Sequence, residues 1–542
     1  MNRIERTDVV IIGGGLAGMT AALAALSQGA QVCIVDRTAL GFGTNSALSN
    51  GVFSGPTARY SVDAFLTDTH RIGKSIGQRW MAARVAEDIE TRISWLRNIG
   101  LRITEMKDHY FVESGENNSF PGAHLSRHVA SYVGQQSGIK VHQGTHIARI
   151  EVSNGKAVGV SGFDHRGRPI VIQAGAVVLA SGGAGALYRR NDNQKSALGQ
   201  GYALALEAGL ALWDMEFVQY YPLVMAQDRL PSMMLNPPHP PGSRIVNAAG
   251  QDLCVKYDIA DLNDTVRNRR DWFSAVLFKE AKHGEVLMDY RAVAPHFWEQ
   301  HPLVGFKNRR FDFRLHPVAI SPAAHFMMGG VRIDECGATD IKGLFACGEV
   351  CWGLHGACRK GGNALSECLV FGHLAGFYAA LHGLDSCHNS WPVVSKDRYG
   401  ESGGGKSNLS ARDLRRSVQD VAWRCAGVVR AAEGLTGGLA ELERLEPEIQ
   451  YLSYAGPQDF RARCDLLSMV QVLTVILTAS LARQESRGCF LREDYPEQDD
   501  AAWAKNSRVT VTAESSQPIL DHMWADRNSA AAARENDHKN RE

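Results

Sequence analysis

A β-rich run over residues 8–12 (DVVII) passes directly into Gly13-Gly14-Gly15-Leu16-Ala17-Gly18. A helix-forming stretch over 19–28 follows, then a second β-rich run over 31–36 that closes on Asp36. Gly-x-Gly-x-x-Gly is common by chance. Here a strand precedes it, a helix follows it, and an acid ends the next strand 18 residues after Gly18. Together these contexts specify a βαβ unit that holds a dinucleotide. Gly13 permits the tight turn, Gly15 lets backbone approach a pyrophosphate, and Gly18 lets helix pack on strand. The helix N-terminus then faces the phosphates with its positive dipole end. Leu16 and Ala17 lie in the same turn, and Arg37 follows Asp36. Asp36 is placed to accept from adenosine ribose hydroxyls, and its charge disfavours a 2′-phosphate.

The motif alone does not separate FAD from NAD. Residues 176–180 (AVVLA) form another strand, ending on Ala180 and leading to Ser181-Gly182-Gly183. Residues 344–347 (LFAC) form a third, leading to Gly348-Glu349. A ligand touched at three strand ends is long and extended, which favours FAD.

Beyond residue 226 the texture changes. Prolines cluster at Pro237, Pro238, Pro240 and Pro241, and aromatic and basic residues mix until about 340. The expected organisation is an FAD-binding domain over 1–225 and 340–384, with a capping domain inserted at 226–339. A polar linker over 385–408 and a flexible tail over 526–542 are expected to flank a C-terminal helical domain over 409–525. Within it, residues 409–445 and 459–484 carry apolar positions at helical spacing, and Pro447 is expected to stop the first of these helices. The fold class expected is α/β: a Rossmann-type FAD-binding domain, an inserted α+β cap and a helical C-terminal domain.

Fifty-eight basic side chains balance 58 acidic ones, so no global field recruits nucleic acid or an anionic membrane. Eleven cysteines contain no CxxC pair, so the spacing of zinc ribbons and ferredoxin-type clusters is missing and no metal site is expected. Reduced core thiols in a cytoplasmic protein fit that usage. A strand begins within eight residues of the N-terminus, leaving no room for a signal peptide. The longest apolar stretch, 469–482, carries Gln471, Thr474, Thr478 and Ser480, which suits a buried helix and not a membrane span. Residues 400–407 spell G-x-x-x-x-G-K-S, but only two valines and Pro392 precede them, so a flexible linker is the expectation there and not a nucleotide loop.

Several segments resemble one family. They are residues 343–349 (GLFACGE), 353–367 (GLHGACRKGGNALSE), 214–222 (DMEFVQYYP), 325–330 (HFMMGG), 270–274 (RDWFS), 485–488 (ESRG) and 492–496 (REDYP). The family is that of the fumarate reductase, succinate dehydrogenase and L-aspartate oxidase flavoproteins, and the resemblance spans residues 6–510 in the family's motif order. It implies FAD, a capping domain, and hydride transfer between flavin N5 and a C–C bond activated by a carboxylate or carbonyl. It adds His355, Asn363, Ala364 and Leu365 to the expected flavin contacts. Covalent members carry a histidine in an SHTxAAxGG stretch. Its place here falls on Thr44, which cannot replace imidazole as the nucleophile. Thr44, Asn45 and Ser46 are therefore expected beside a dissociable FAD.

The resemblance also implies roles on the substrate side. An arginine of RDxxS delivers the proton, and the histidine of HYTMGG and the arginine of HGANR hold a carboxylate. The matching positions are Arg270, His325 and Arg359. Guanidinium binds carboxylate bidentately, and paired cations stabilise a developing enolate in a dry site. Arginine is an awkward acid, with a pKa above about 12. Arg267 and Arg269 could lower it by like-charge repulsion, and a water relay is equally compatible. Two positions depart from the family. Tyr221 replaces a carboxylate-binding histidine, and Leu235 replaces a substrate-contacting threonine, while the relay glutamate and arginine that follow it are lost. A substrate with one carboxylate or carbonyl and a bulkier remainder is expected beside Met233, Met234 and Leu235, with Tyr221 a second candidate acid or base. Cys358 replaces the asparagine of HGANR, and inert packing is its default role. The alternatives are an amine oxidase of the L-aspartate oxidase kind, and a flavoprotein subunit served by an iron–sulfur or other electron-carrier protein.

Overall fold

Four β-rich runs end at one level, and this brings the glycine turns together. The computed structural model describes residues 4–114, 120–300, 302–306, 311–386, 407, 409–453, 456–512 and 515–524. The expected tail, the P-loop-like spelling before Ser407 and nearly all of the expected linker lie outside the described residues. In the main sheet the strand Ile4–Ile12 is parallel to Val32–Val35 on one side and to Pro169–Leu179 on the other. Leu344–Ala346 runs parallel to the end of Pro169–Leu179. Ile12 is level with Val35 and Leu179, and Leu179 with Ala346. The loops after these residues therefore open on one crevice, where α/β sheets bind ligands. Ile139–His142 extends the sheet in parallel. His146–Ser153 and Lys156–Phe163 add an antiparallel edge beside the first half of Pro169–Leu179.

Behind the crevice, the helix Leu16–Ser27 packs on the long helix Asn363–Asp385. The approach is close because Gly372 and Gly376 face it. A Cβ at Gly376 would meet Ala21 O at 2.1 Å. Asn363–Asp385 and Pro457–Ala482 are both long and apolar enough to cross a bilayer, but their apolar residues are largely buried inside the protein, which accounts for that composition.

A second sheet has the order Val218–Met225, Val318–Met327, Val286–Asp289, Arg244–Val246, all antiparallel. The helix Arg270–Glu280 lies on its two leading strands. By its hydrogen bonds, Val218–Met225 belongs to this sheet although it lies before position 226.

The C-terminal segment departs from the expectation in three ways. The stretch expected as one helix from 409 is two, Ala411–Cys425 and Ala432–Gln450, with the short strand Val429–Arg430 between them. Gly427 marks the break, where a Cβ would meet Trp423 O at 2.3 Å. Pro447 does not stop the second helix, which runs on to Gln450. A proline this close to a C-terminus forfeits one hydrogen bond, and the last turn tolerates that. After Pro457–Ala482 the only helix among the described residues is the single turn Asp500–Trp503. Lys505–Thr512 and Ser515–Trp524 form a hairpin that pairs with Leu212–Trp213.

Candidate active site

The crevice encloses about 940 Å³ of space open to solvent. Its walls include Gly13, Gly15, Leu16, Ala17, Asp36, Arg37, Thr44, Asn45, Ser46, Ala180, Gly182, Gly183, Gly348 and Glu349. Gly18 lies behind the wall, where a Cβ would meet Gly13 O at 2.0 Å, so its role is packing. Gly15 sits at the helix N-cap with no side chain to occupy the first-turn N–H groups, although Ser46 Oγ accepts from Leu16 N–H at 3.3 Å. That end is open to an anion. Asp36 braces the loop. Its oxygens accept from Gly14 N and Thr38 N at 2.6 Å and from Thr38 Oγ1 at 2.7 Å. A carboxylate has lone pairs left for a ribose.

Gly13 has φ +116, and a Cβ there would meet Ala180 O at 2.2 Å. Gly13→Ala is therefore expected to yield a colourless protein that does not retain flavin, as read from the visible spectrum after desalting. Full retention would remove the turn from the binding site.

Glu349 reaches across the crevice. It accepts from Met327 N at 3.2 Å and from Asn45 Nδ2 at 3.3 Å. Burial pushes its carboxyl up to about 7, so near neutrality it can donate as well as accept. Thr44 caps the short helix Asn45–Leu48, accepting from Ala47 N at 3.3 Å. His355, Asn363, Ala364 and Leu365 are not in the crevice wall. Asn363 opens the helix Asn363–Asp385 fully buried, with both side-chain polar atoms unpartnered. His355 lies 3.0 Å from Glu367 through Nε2, and its Nδ1 is unpartnered. Buried polar atoms without partners are costly, so this cluster is suited to a polar ligand. An FAD would meet those demands: the glycine turn could hold its phosphates, and Asn363 and His355 could hydrogen-bond to it.

Next to this cluster, four expected substrate residues converge. Arg359 is 6% exposed, lies 4.6 Å over the Phe326 ring, and has no partner for Nε. Burial, with Arg270 nearby, pushes its pKa down to about 10, so it remains a cation at neutral pH. Arg270, at the start of the cap helix, donates to Arg359 O, and Gln219 Nε2 donates to the same carbonyl at 3.1 Å. The like charge facing Arg270 is thus Arg359. The expected neighbours are exposed, and Arg269 stacks over Trp272 at 4.1 Å. His325 Nδ1 lies 2.8 Å from Asp192 Oδ2. An ionised carboxylate only accepts, so Nδ1 carries the proton and Nε2 stays available. The Tyr221 and His325 rings are 5.8 Å apart, on the paired strands Val218–Met225 and Val318–Met327. Burial raises the Tyr221 pKa, so its hydroxyl is a neutral donor. It donates to Asn236 Oδ1 at 3.1 Å.

One expectation changes in detail. Leu235 is fully buried in the cap core, and Met233 and Met234 pack partly exposed against the same core. Cys358 lies 3.0 Å from Asp271, and burial with that carboxylate pushes it up to about 12, so it stays an unreactive thiol. Among the described residues the cysteines are all free. Glu5, Cys33 and His142 do gather within 4.8 Å, but Lys140 Nζ already lies 2.6 Å from Glu5. Sequence reasoning missed Asp192, Asn193 and Gln194, which sit in a loop without a motif, and Gln200, which opens the helix Gln200–Ala208.

Residues 8–365 match the family model of an FAD binding domain, and residues 415–535 match that of the fumarate reductase flavoprotein C-terminus. The chain belongs to the FAD-dependent fumarate reductase and succinate dehydrogenase flavoprotein family. It is an FAD-dependent oxidoreductase. The flavoprotein is 31% identical to an L-aspartate oxidase of Caulobacter vibrioides over 96% of this chain and 98% of the other. It is 28% identical to a fumarate reductase (CoM/CoB) subunit from Methanothermobacter marburgensis, over 92% and 96%. An E. coli quinol fumarate reductase shares the fold at a TM-score of 0.85 and 22% identity, covering 97% of each chain.

Proposed function

We propose that this flavoprotein oxidises or reduces a C–C bond adjacent to a single carboxylate or carbonyl, on a substrate bulkier and less polar than fumarate. The observation that carries the reading is the buried, partly unpartnered Arg359 beside Arg270, His325 and Tyr221. Bound FAD supplies a hydride acceptor or donor. The chain's own residues do the rest. Arg359 holds one carboxylate; His325, whose Nδ1–H is held by Asp192, adds a hydrogen bond from Nε2 only in its doubly protonated form. The positive charge of the Arg359 guanidinium favours the enolate-like form of the substrate. Tyr221 offers a neutral hydroxyl where a histidine would carry charge, and Met233 and Met234 supply apolar wall. A proton moves at Arg270 or at the Tyr221 hydroxyl.

Two substitutions separate those donors. If Arg270 delivers the proton, Arg270→Ala keeps its yellow colour and loses turnover by roughly 10²–10⁴-fold, whereas Tyr221→Phe keeps most of it. The reverse outcome assigns the proton to Tyr221. Substrates are found by following flavin bleaching and recovery with a panel of enoates, enones and saturated acids.

A second reading, an amine oxidase of the L-aspartate oxidase kind, is favoured by the 31% identity to such an enzyme. Rapid turnover with oxygen and an amino acid, and none with enoates, would select it. In either case we infer a dissociable FAD, because Thr44 stands where a linking histidine would be. Acid precipitation should leave the flavin in the supernatant, and yellow pelleted protein would refute this. A cytoplasmic protein fed by an iron–sulfur or other electron-carrier protein completes the proposal.

A further inference from the structure

A second cavity, of about 380 Å³, lies between the helices Ala411–Cys425 and Pro457–Ala482. Its polar lining is Arg415, Gln458, Arg461 and Asp465, over Leu466 and Met469. It shares no lining residue with the flavin crevice. The two meet at Arg37, which lines the crevice and donates to both oxygens of Asp465 at 2.7 Å.

That pairing leaves a charge imbalance. Asp465 is neutralised by Arg37, from outside the cavity. Arg415 and Arg461 are half-buried and reach only backbone carbonyls, Lys195 O at 2.8 Å and Arg37 O at 3.2 Å. Among the described residues neither forms an ion pair. Burial is the main influence on both guanidiniums and pushes their pKa values down, a sign of charge held without full compensation. Two half-buried cations in a concave site, with a neutral amide donor in the same lining, favour an anion with several acceptor oxygens.

We propose that this cavity binds a small oxyanion, inorganic phosphate or the carboxylate or phosphate end of a metabolite, at a site separate from the flavin crevice. The geometry suits bidentate contact from Arg415 and Arg461 with Gln458 as a further donor.

The test is calorimetric titration of inorganic phosphate, and separately of acetate, into the FAD-loaded protein at constant ionic strength set with chloride. One saturable site per chain is expected, and the tighter of the two ligands identifies the class. Arg415→Gln and Arg461→Gln should each weaken phosphate by about tenfold, the loss of one charge-assisted contact. Arg415→Lys should keep binding within a few-fold, and its melting curve shows that the fold is intact. Asp465→Asn should tighten binding, because it removes a negative charge and frees Arg37. Flavin content should not change in Arg415→Gln, since Arg415 lines no part of the crevice. No saturable heat in the loaded protein overturns the proposal, as does undiminished affinity in both glutamine variants. Binding seen only after flavin is stripped also overturns it, because the anion would then occupy the cofactor's phosphate position.

Discussion

Replacing Arg359 with methionine is expected to leave a folded, yellow protein whose turnover falls by roughly 10²–10³-fold, the usual effect of removing one group that stabilises developing charge. The reasoning starts from burial. A guanidinium at 6% exposure must be compensated. The carboxylates that influence Arg359, Glu349 and Glu367, act on it at a distance and form no ion pair with it. Its Nε is left without a partner, facing a neighbourhood where Arg270, His325 and Tyr221 also converge. In the proposed function the substrate's carboxylate would supply the missing counter-charge. Arg359→Lys keeps the charge but loses the planar fork, so it should fall between the native protein and the methionine variant. The loss should appear in kcat/KM. It should also appear in the weakened perturbation of the flavin spectrum by small carboxylates, which needs no knowledge of the true substrate. Native-like turnover in Arg359→Met would remove the residue from the site.

How far the sequence reveals this site depends on what kind of constraint each residue answers. Gly13, Gly18, Gly183 and Gly348 are legible because a Cβ at each would meet a neighbour too closely, and Gly15 is legible through the motif it completes. A Cβ at Gly183 would stand 2.2 Å from Glu349 Oε1. Their joint location follows from apolar β-rich runs that each end on glycine, so the place of the crevice can be read from the chain alone. Arg270, His325 and Arg359 are legible only through the resemblance, since a basic run or a lone histidine has many uses. Asp192, which orients His325, has no local signature. The Asn191-Asp192-Asn193 loop becomes informative only when the strand Val318–Met327 runs past it. Arg37 and Asp465 are 428 positions apart, and no periodicity links them. The hairpin at 505–524 escapes for a similar reason. Its partner strand, Leu212–Trp213, is two residues long and shows no alternation to read. Pro447 shows the opposite failure, a strong local rule relaxed because the helix was about to end.

The largest effect on stability is expected at Arg483, which lines no part of the flavin crevice. Its side chain is fully buried and lies 2.8 Å from both Glu216 and Glu485. It also donates to Trp503 O at 3.1 Å and Lys505 O at 2.8 Å. It therefore ties the strand leading into the cap to the C-terminal hairpin. Glu485 has a second cation in Arg487 at 2.7 Å, but Glu216 relies on Arg483, with Ser507 Oγ as a neutral donor at 2.6 Å. Arg483→Met should thus leave Glu216 as a buried, uncompensated carboxylate, at a cost of about 3–5 kcal/mol. A lower denaturant midpoint with preserved flavin absorbance in buffer is the expected signature. The cost comes from the stranded charge and not from the lost pair, so adding Glu216→Gln to Arg483→Met should recover a large part of it. With the two backbone carbonyls released, the chain around Trp503 and Lys505 should also become the first point of limited proteolysis. A double variant no more stable than Arg483→Met would mean that pinning the hairpin, and not neutralising Glu216, is what Arg483 contributes.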